Sequence, residues 1–141
     1  MIYDLLTLGT YFSQFNGMFG IADFVYGNTD DILNRKNKII VYPCLWLELM
    51  DEKMDMNGYS FFNIRLTLQH GTPNQTIEDD RIQLNNLRTI LKQVIKKMQQ
   101  DSPAKLVYYH PKINFYYKER FANDNELLAM VETEIGGIPQ C

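Results

Sequence analysis

The stretch YSFFNIRLTLQH, residues 59–70, carries the strongest structural pattern in the sequence. Apolar and polar residues alternate along it, which is the pattern of a strand whose side chains point to the two faces of a sheet in turn. One face would carry Phe62, Ile64, Leu66 and Leu68, and the other Asn63, Arg65, Thr67 and Gln69. This alternation predicts a half-buried antiparallel strand whose apolar face packs against another layer.

A second strand is predicted just before it, in the apolar run Ile39–Leu49. This run is rich in β-branched and aromatic residues, which favour strand over helix. Pro43 cannot donate to a strand ladder, so it is expected at an edge, at a bulge or at the start of the second half of the run. Because Asn57-Gly58 is a turn signal between the two runs, the pair predicts a hairpin.

A long amphipathic helix is predicted from about Ile77 to Gln99. Thr76, with Asp79 three residues later, resembles a helix cap, and Asp101-Ser102-Pro103 ends the pattern. Acidic residues at the start, with Lys96 and Lys97 near the end, match the helix dipole. The stripe that faces a core comprises Ile77, Leu84, Leu87, Ile90, Leu91, Val94, Ile95 and Met98.

The remaining elements complete one domain over residues 1–141. Helical spacing predicts an N-terminal helix over Ile2–Phe15, and a short strand follows over Ile21–Tyr26. Residues 29–38 are polar and connect, while 112–121 and 127–135 form a second hairpin around a turn at 122–125. The predicted fold is α+β: a mainly antiparallel sheet of two hairpins, with the N-terminal helix and the long helix packed on it.

The charge of the chain gives no indication of nucleic-acid binding. A formal net charge of -3 lacks the basic excess expected of a protein that holds phosphates. Arg88, Lys92, Lys96 and Lys97 make a local basic strip, which is interpreted as the solvated face of the long helix rather than as a phosphate site.

The cysteines and the N-terminus predict an intracellular, soluble protein. Cys44 lies in an apolar run and Cys141 is the last residue, so free thiols are the simpler interpretation than a disulfide. The first twenty residues contain Asp4 and no basic residue, which argues against a secretory signal. The sequence also lacks an apolar run of the ~20 residues needed to span a bilayer.

No motif for catalysis, cofactor binding or metal binding is found. His70 and His110 stand apart, and no zinc-type spacing of His and Cys exists. Cys44 is interpreted as a small buried hydrophobe, the glycine pairs as turns and the adjacent acids as residues of caps or turns. No serine has the glycine-flanked elbow of a nucleophile. The sequence therefore predicts a protein that is not an enzyme, with no catalytic residues, no cofactor and no metal.

The aromatic residues are the candidate interface. In a strand, one tyrosine of an adjacent pair would pack in the core while its neighbour points outward, where aromatics often anchor protein interfaces. Solvent-facing tyrosine on a sheet is equally common, so both interpretations stay open. The candidates are Trp46, Tyr108, Tyr109, Tyr116 and Tyr117.

The order of these elements resembles that of the tail-terminator, or tail-completion, proteins of long-tailed phages and prophages. The resemblance covers nearly the whole chain. It is carried by the N-terminal helix, the segment Tyr42-Pro43-Cys44-Leu45-Trp46-Leu47-Glu48, the alternating strand Phe61–His70, the capped helix and the final hairpin Phe115–Ile135.

That resemblance implies a structural virion protein of the tail or neck, assembled in the host cytoplasm. Its partners would be copies of itself in a homohexameric ring, the tail tube protein and the neck or head connector, and the ring would cap the tube and end its polymerisation. DNA would pass through the ring without specific binding, which suits a net negative subunit. Alternatives from other classes are a different head-tail connector or baseplate component, a non-viral adaptor or ligand-binding domain, and an enzyme.

Overall fold

The computed structural model describes residues 1–28, 41–71, 76–108, 110, 112–121 and 126–138, with the backbone alone for residues 119–121. Within them the order of elements confirms the predicted helix, strand, hairpin, helix and hairpin. The elements are α1 (Leu5–Ser13), β1 (Asp23–Tyr26), β2 (Cys44–Met54), β3 (Ser60–Gly71), α2 (Ile77–Asp101), β4 (Phe115–Phe121) and β5 (Glu126–Gly136).

The strands form one five-stranded sheet in the order β1-β2-β3-β5-β4. The hairpins β2–β3 and β4–β5 are joined side by side through antiparallel pairing of β3 with β5, in a register that sets Leu66 opposite Val131. β1 is the exception, because it runs parallel to β2. The fold is therefore the predicted α+β domain built on a mainly antiparallel sheet.

The main core lies between one face of this sheet and the two helices. The alternating residues Phe62, Ile64, Leu66 and Leu68 are all buried, as predicted from the sequence. They belong to one continuous cluster. The helices contribute to it Leu8, Tyr11 and Phe12 from α1, and Leu87, Leu91, Val94, Ile95 and Met98 from α2.

The opposite face of the sheet, here called the second face, is more buried than the alternation predicts. Thr67 and Gln69 were expected to face solvent, yet each is only 1% exposed. A second cluster of Val25, Cys44 and Trp46 lies at this end of the sheet, and Trp46 stands opposite Thr67 in the β2–β3 register. The period of two reports which face a residue occupies, and it does not report what covers that face.

The ends of the helices follow from capping. Asp4 caps α1 in a reciprocal capping box with Thr7, and Thr76 Oγ1 accepts a hydrogen bond of 3.1 Å from the Asp79 amide, as predicted. α2 continues two residues past Gln99 and ends at Asp101, so Lys96 and Lys97 precede the last turn, which holds no basic residue. The expected basic helix end was therefore wrong.

The strand limits also differ from those predicted. β2 begins at Cys44, directly after Pro43, and runs five residues beyond Leu49 to Met54, with an irregularity between Leu49 and Asp51. Because the side chains in its second half are mostly polar, the sequence pattern did not predict that extension. The predicted turns near 72–74 and at 122–125, the connection 29–38, residues 39–40 and Cys141 lie outside the described residues.

Neither of the described helices is both long and apolar enough to cross a membrane.

Candidate interaction surfaces

A groove of about 520 Å³ lies on the second face of the sheet. Two neighbouring rows of side chains build it. In the first row, the register across four strands aligns Trp46, Thr67, Met130 and Tyr116. In the second row, two residues further along the strands, the register aligns Glu48, Arg65 and Glu132. We call it the second-face groove, and its lining consists of Trp46, Arg65, Tyr116, Lys118, Leu128, Met130 and Glu132.

Arg65 is held between two carboxylates in this groove. Its Nε and Nη2 lie 3.0 and 2.8 Å from Glu132 Oε1, while Nη1 lies 3.1 Å from Glu48 Oε1. Glu48 is almost fully buried, whereas about half of the Glu132 side chain is exposed. The planar guanidinium suits contacts with several carboxylate oxygens, so its position at the groove is fixed.

Trp46 is a structural residue as much as a groove residue. It is 4% exposed, and its indole Nε1 donates a hydrogen bond of 3.0 Å to the Gly27 carbonyl oxygen. It packs with Val25 and with Cys44, whose thiol is fully buried. Cys44 is therefore the small buried hydrophobe that the sequence predicted, and Trp46 lines the groove with little exposed surface.

The predicted tyrosines divide between core and surface. Tyr108 is buried in the main core, where its hydroxyl oxygen accepts a hydrogen bond of 3.2 Å from Thr133 Oγ1. Burial raises the pKa of Tyr108, with the Thr133 hydrogen bond acting in the opposite direction. Tyr116 is about half exposed and lines the groove, so the structure brings Tyr116 together with Trp46 but leaves Tyr108 apart. Tyr109 lies outside the described residues.

Tyr116 and Tyr117 do not follow the expected division into one buried and one exposed residue. Tyr117 stands opposite Ala129, whose side chain is in the main core, yet Tyr117 is 42% exposed. The reason is position, because β4 is the outermost strand at its end of the sheet. A residue on an outer strand lacks a neighbouring strand on one side and keeps solvent contact on either face.

Sequence reasoning missed Arg65, Leu128 and Met130 as groove residues. The alternation of β3 already placed Arg65 opposite the core face, and the same parity in β5 separates Leu128 and Met130 from the core residues Leu127 and Ala129. The missing information was the pairing of β3 with β5, which aligns these residues and which a single sequence does not reveal.

The turn between β2 and β3 is closed by hydrogen bonds. Asp55 Oδ1 accepts hydrogen bonds of 2.9 and 3.0 Å from the amides of Asn57 and Tyr59, and the Gly58 amide donates to the Asp55 carbonyl oxygen. Gly58 has a φ of 85°, which favours glycine. The predicted Asn57-Gly58 turn is therefore confirmed, with Asp55 as the side chain that closes it.

Two methionines project from this turn. Met54 is mostly exposed and Met56 is completely exposed, and Tyr59 is partly exposed beside them. We call residues 51–59 the hairpin tip. It carries the carboxylates of Asp51, Glu52 and Asp55 against the one ammonium group of Lys53. The tip is thus an exposed surface that is both apolar and acidic.

The outer face of α2 carries the opposite charge. Arg81, Arg88, Lys92 and Lys96 recur at steps of seven, four and four, so they form one stripe, which we call the helix stripe. Three of them are exposed and Arg88 is partly exposed, and the helix has no acidic residue between Arg81 and Gln100. Lys97 does not belong to the stripe, because its Nζ pairs with Asp101 Oδ1 at 3.0 Å.

The two histidines are engaged in local contacts. His110 Nε2 lies 2.8 Å from the Glu134 carbonyl oxygen, and His70 Nδ1 lies 2.8 Å from the Gly71 carbonyl oxygen. The His70 ring also stacks on Tyr42. His110 borders a second, more polar pocket of about 510 Å³. Across the described residues, no three or more His, Cys, Asp or Glu side chains are grouped so as to hold a metal ion.

No protein-family model matches this chain, and no curated protein shows significant similarity to it.

Proposed function

We propose that this chain is a structural virion protein that forms a ring on the end of a phage tail tube. The ring ends tube polymerisation and joins the tail to the neck or head connector. The resemblance in element order supports this role, and so does the way in which the chain displays separate contact surfaces on one sheet.

The second-face groove is the observation that carries the proposal. Tryptophan, tyrosine, methionine and arginine are the residues that protein interfaces favour, and the groove brings together Trp46, Tyr116, Met130 and Arg65. Both helices pack on the other face, so neither of them closes it. We assign the groove to the contact along the tail axis with an adjoining tail component.

A ring also needs two different lateral surfaces on each subunit, because head-to-tail contacts join unlike patches. The described residues offer such a pair, since the hairpin tip is acidic and the helix stripe is basic. The net charge of -3 supports passage of DNA through the ring, because like charge disfavours adhesion to phosphate.

Tube capping tests this function. A phage tail tube protein is polymerised with and without this chain, and tube lengths are measured by negative-stain electron microscopy. The proposal expects shorter tubes that carry a ring at one end. Unchanged tube lengths and bare tube ends would contradict it.

A pair of variants links capping to the groove. Tyr116→Ala together with Met130→Ser removes two lining side chains and is expected to weaken capping while the ring itself still forms. Tyr117→Ala is the matched control, because Tyr117 lies next to Tyr116 on the opposite face of β4. Equal loss of capping in both variants would show that the groove is not the contact.

A further inference from the structure

We infer that neighbouring subunits join by docking the hairpin tip of one copy against the helix stripe of the next. The inference rests on the proposed ring, and it names the partner as a second copy of this chain. It concerns the lateral contact between subunits, whereas the groove is assigned to the axial one.

The hairpin tip has the features of a protruding docking surface. Three hydrogen bonds fix its turn through Asp55, so Met54 and Met56 are held outward rather than folded back onto the sheet. Fully exposed methionine leaves apolar surface in water, and removal of that surface on docking is favourable. Methionine is also a flexible side chain that adapts to irregular surfaces. An ordered tip with such residues loses little conformational entropy on docking.

The helix stripe begins beside an exposed apolar residue. Ile77, which is 65% exposed, lies four residues before Arg81 and therefore on the same side of the helix. A methionine of the docked tip can cover this apolar surface while the cations meet the carboxylates of the tip.

Charge selects the pairing of these two surfaces. The tip carries three carboxylates against one lysine, and the stripe carries four cations with no acid among them. Opposite potentials of this kind steer association and fix its register. Both surfaces are exposed on the same subunit, so each copy can give its tip to one neighbour and its stripe to the other. Repeated head-to-tail, this unlike pairing forms a ring when the rotation between copies closes.

Charge reversal provides the test, with subunit association followed by analytical ultracentrifugation of the full chain. Asp51→Lys with Glu52→Lys reverses the tip, and Lys92→Glu with Lys96→Glu reverses the stripe. Each double variant is expected to weaken association roughly a hundredfold, because it sets like charges against each other. The two reversals combined restore association. Thr10→Glu, at an exposed position of α1 on neither surface, adds a negative charge and leaves association unchanged.

A sign control sits on the tip itself. Lys53→Glu makes the tip more acidic and is expected to strengthen association. Circular dichroism checks that each variant is folded, and a fluorescent DNA duplex reports nucleic-acid binding in the same samples. If the wild type is a ring and both reversals keep it intact, the inference is overturned while the proposed function stands. It is equally overturned if the stripe reversal abolishes DNA binding without changing association.

Discussion

The Tyr11 hydroxyl donates a hydrogen bond of 2.8 Å to Asp101 Oδ2, which joins the N-terminal helix to the last residue of the long helix 90 positions away. Both residues are buried, and Lys97 Nζ lies 3.0 Å from the other carboxylate oxygen. A carboxylate at a helix C-terminus opposes the helix dipole. These two partners offset that cost, and α1 is thereby fixed against α2.

Tyr11→Phe is expected to destabilise the protein by about 2 kcal/mol, because it removes a donor from a buried charged acceptor. Urea unfolding followed by circular dichroism measures the change. Tyr59→Phe is the control, because Tyr59 is partly exposed on the hairpin tip. Equal stability of the two variants would show that the Tyr11 bond contributes nothing.

Stability should fall in acid through Asp101. Burial alone would raise the pKa of Asp101, but hydrogen bonds from Lys97 and Tyr11 and the nearby lysine charges lower it below its usual value. A carboxyl with a lowered pKa in the folded state contributes stability that is present above its unfolded pKa of about 4 and is lost as pH falls through the lower folded value. Asp101→Asn should therefore reduce the dependence of the free energy of unfolding on pH between pH 5 and 2. The same pH dependence in the variant and the wild type would refute this.

The effect of Gly9→Ala on stability is expected to change sign when the Tyr26 ring is removed. A Cβ at this position would lie 2.7 Å from the Tyr26 ring, so Gly9→Ala should destabilise the wild type despite the better helix propensity of alanine. In a Tyr26→Ala background the contact is gone, and the same change should stabilise by about 1 kcal/mol. Urea unfolding of the four proteins gives the coupling, and additivity of the two changes would contradict it.

The two carboxylates that pair with Arg65, those of Glu48 and Glu132, should contribute differently to stability. Arg65→Met leaves Glu48 buried without its guanidinium partner and is expected to cost roughly 1–3 kcal/mol. Glu132→Gln changes a half-exposed pair and should cost less than about 1 kcal/mol. Thermal unfolding compares the two variants. A larger loss for Glu132→Gln would mean that the exposed ion pair of Arg65 with Glu132 contributes more stability than the buried pair with Glu48.

The sequence revealed the elements that depend on local pattern. The alternation from Phe62 to Leu68, the helical stripe and the cap at Thr76 each depend on neighbouring residues. The structure confirms the alternation, the cap and the stripe from Leu84 to Met98, but Ile77, predicted at the start of the stripe, is 65% exposed. The architecture followed from them, since hairpins and amphipathic helices have few ways to bury their apolar faces.

The features that depend on distant residues were not predictable. The pairing of β3 with β5 builds the groove, and nothing near Arg65 in the sequence indicates that Glu132 will lie beside it. Likewise, Tyr108 is buried because the bridge between Val107 and Gly136 draws it against the sheet. Register and cross-strand contact are set by the whole fold, so the candidate interface was only partly found.

Native mass spectrometry of the purified chain, across a range of concentrations, tests whether it forms a ring. The proposed ring is a closed assembly of six copies of the 16.6 kDa chain, with unlike surfaces in every contact. A chain that stays monomeric at all concentrations would contradict the ring and the role proposed for it.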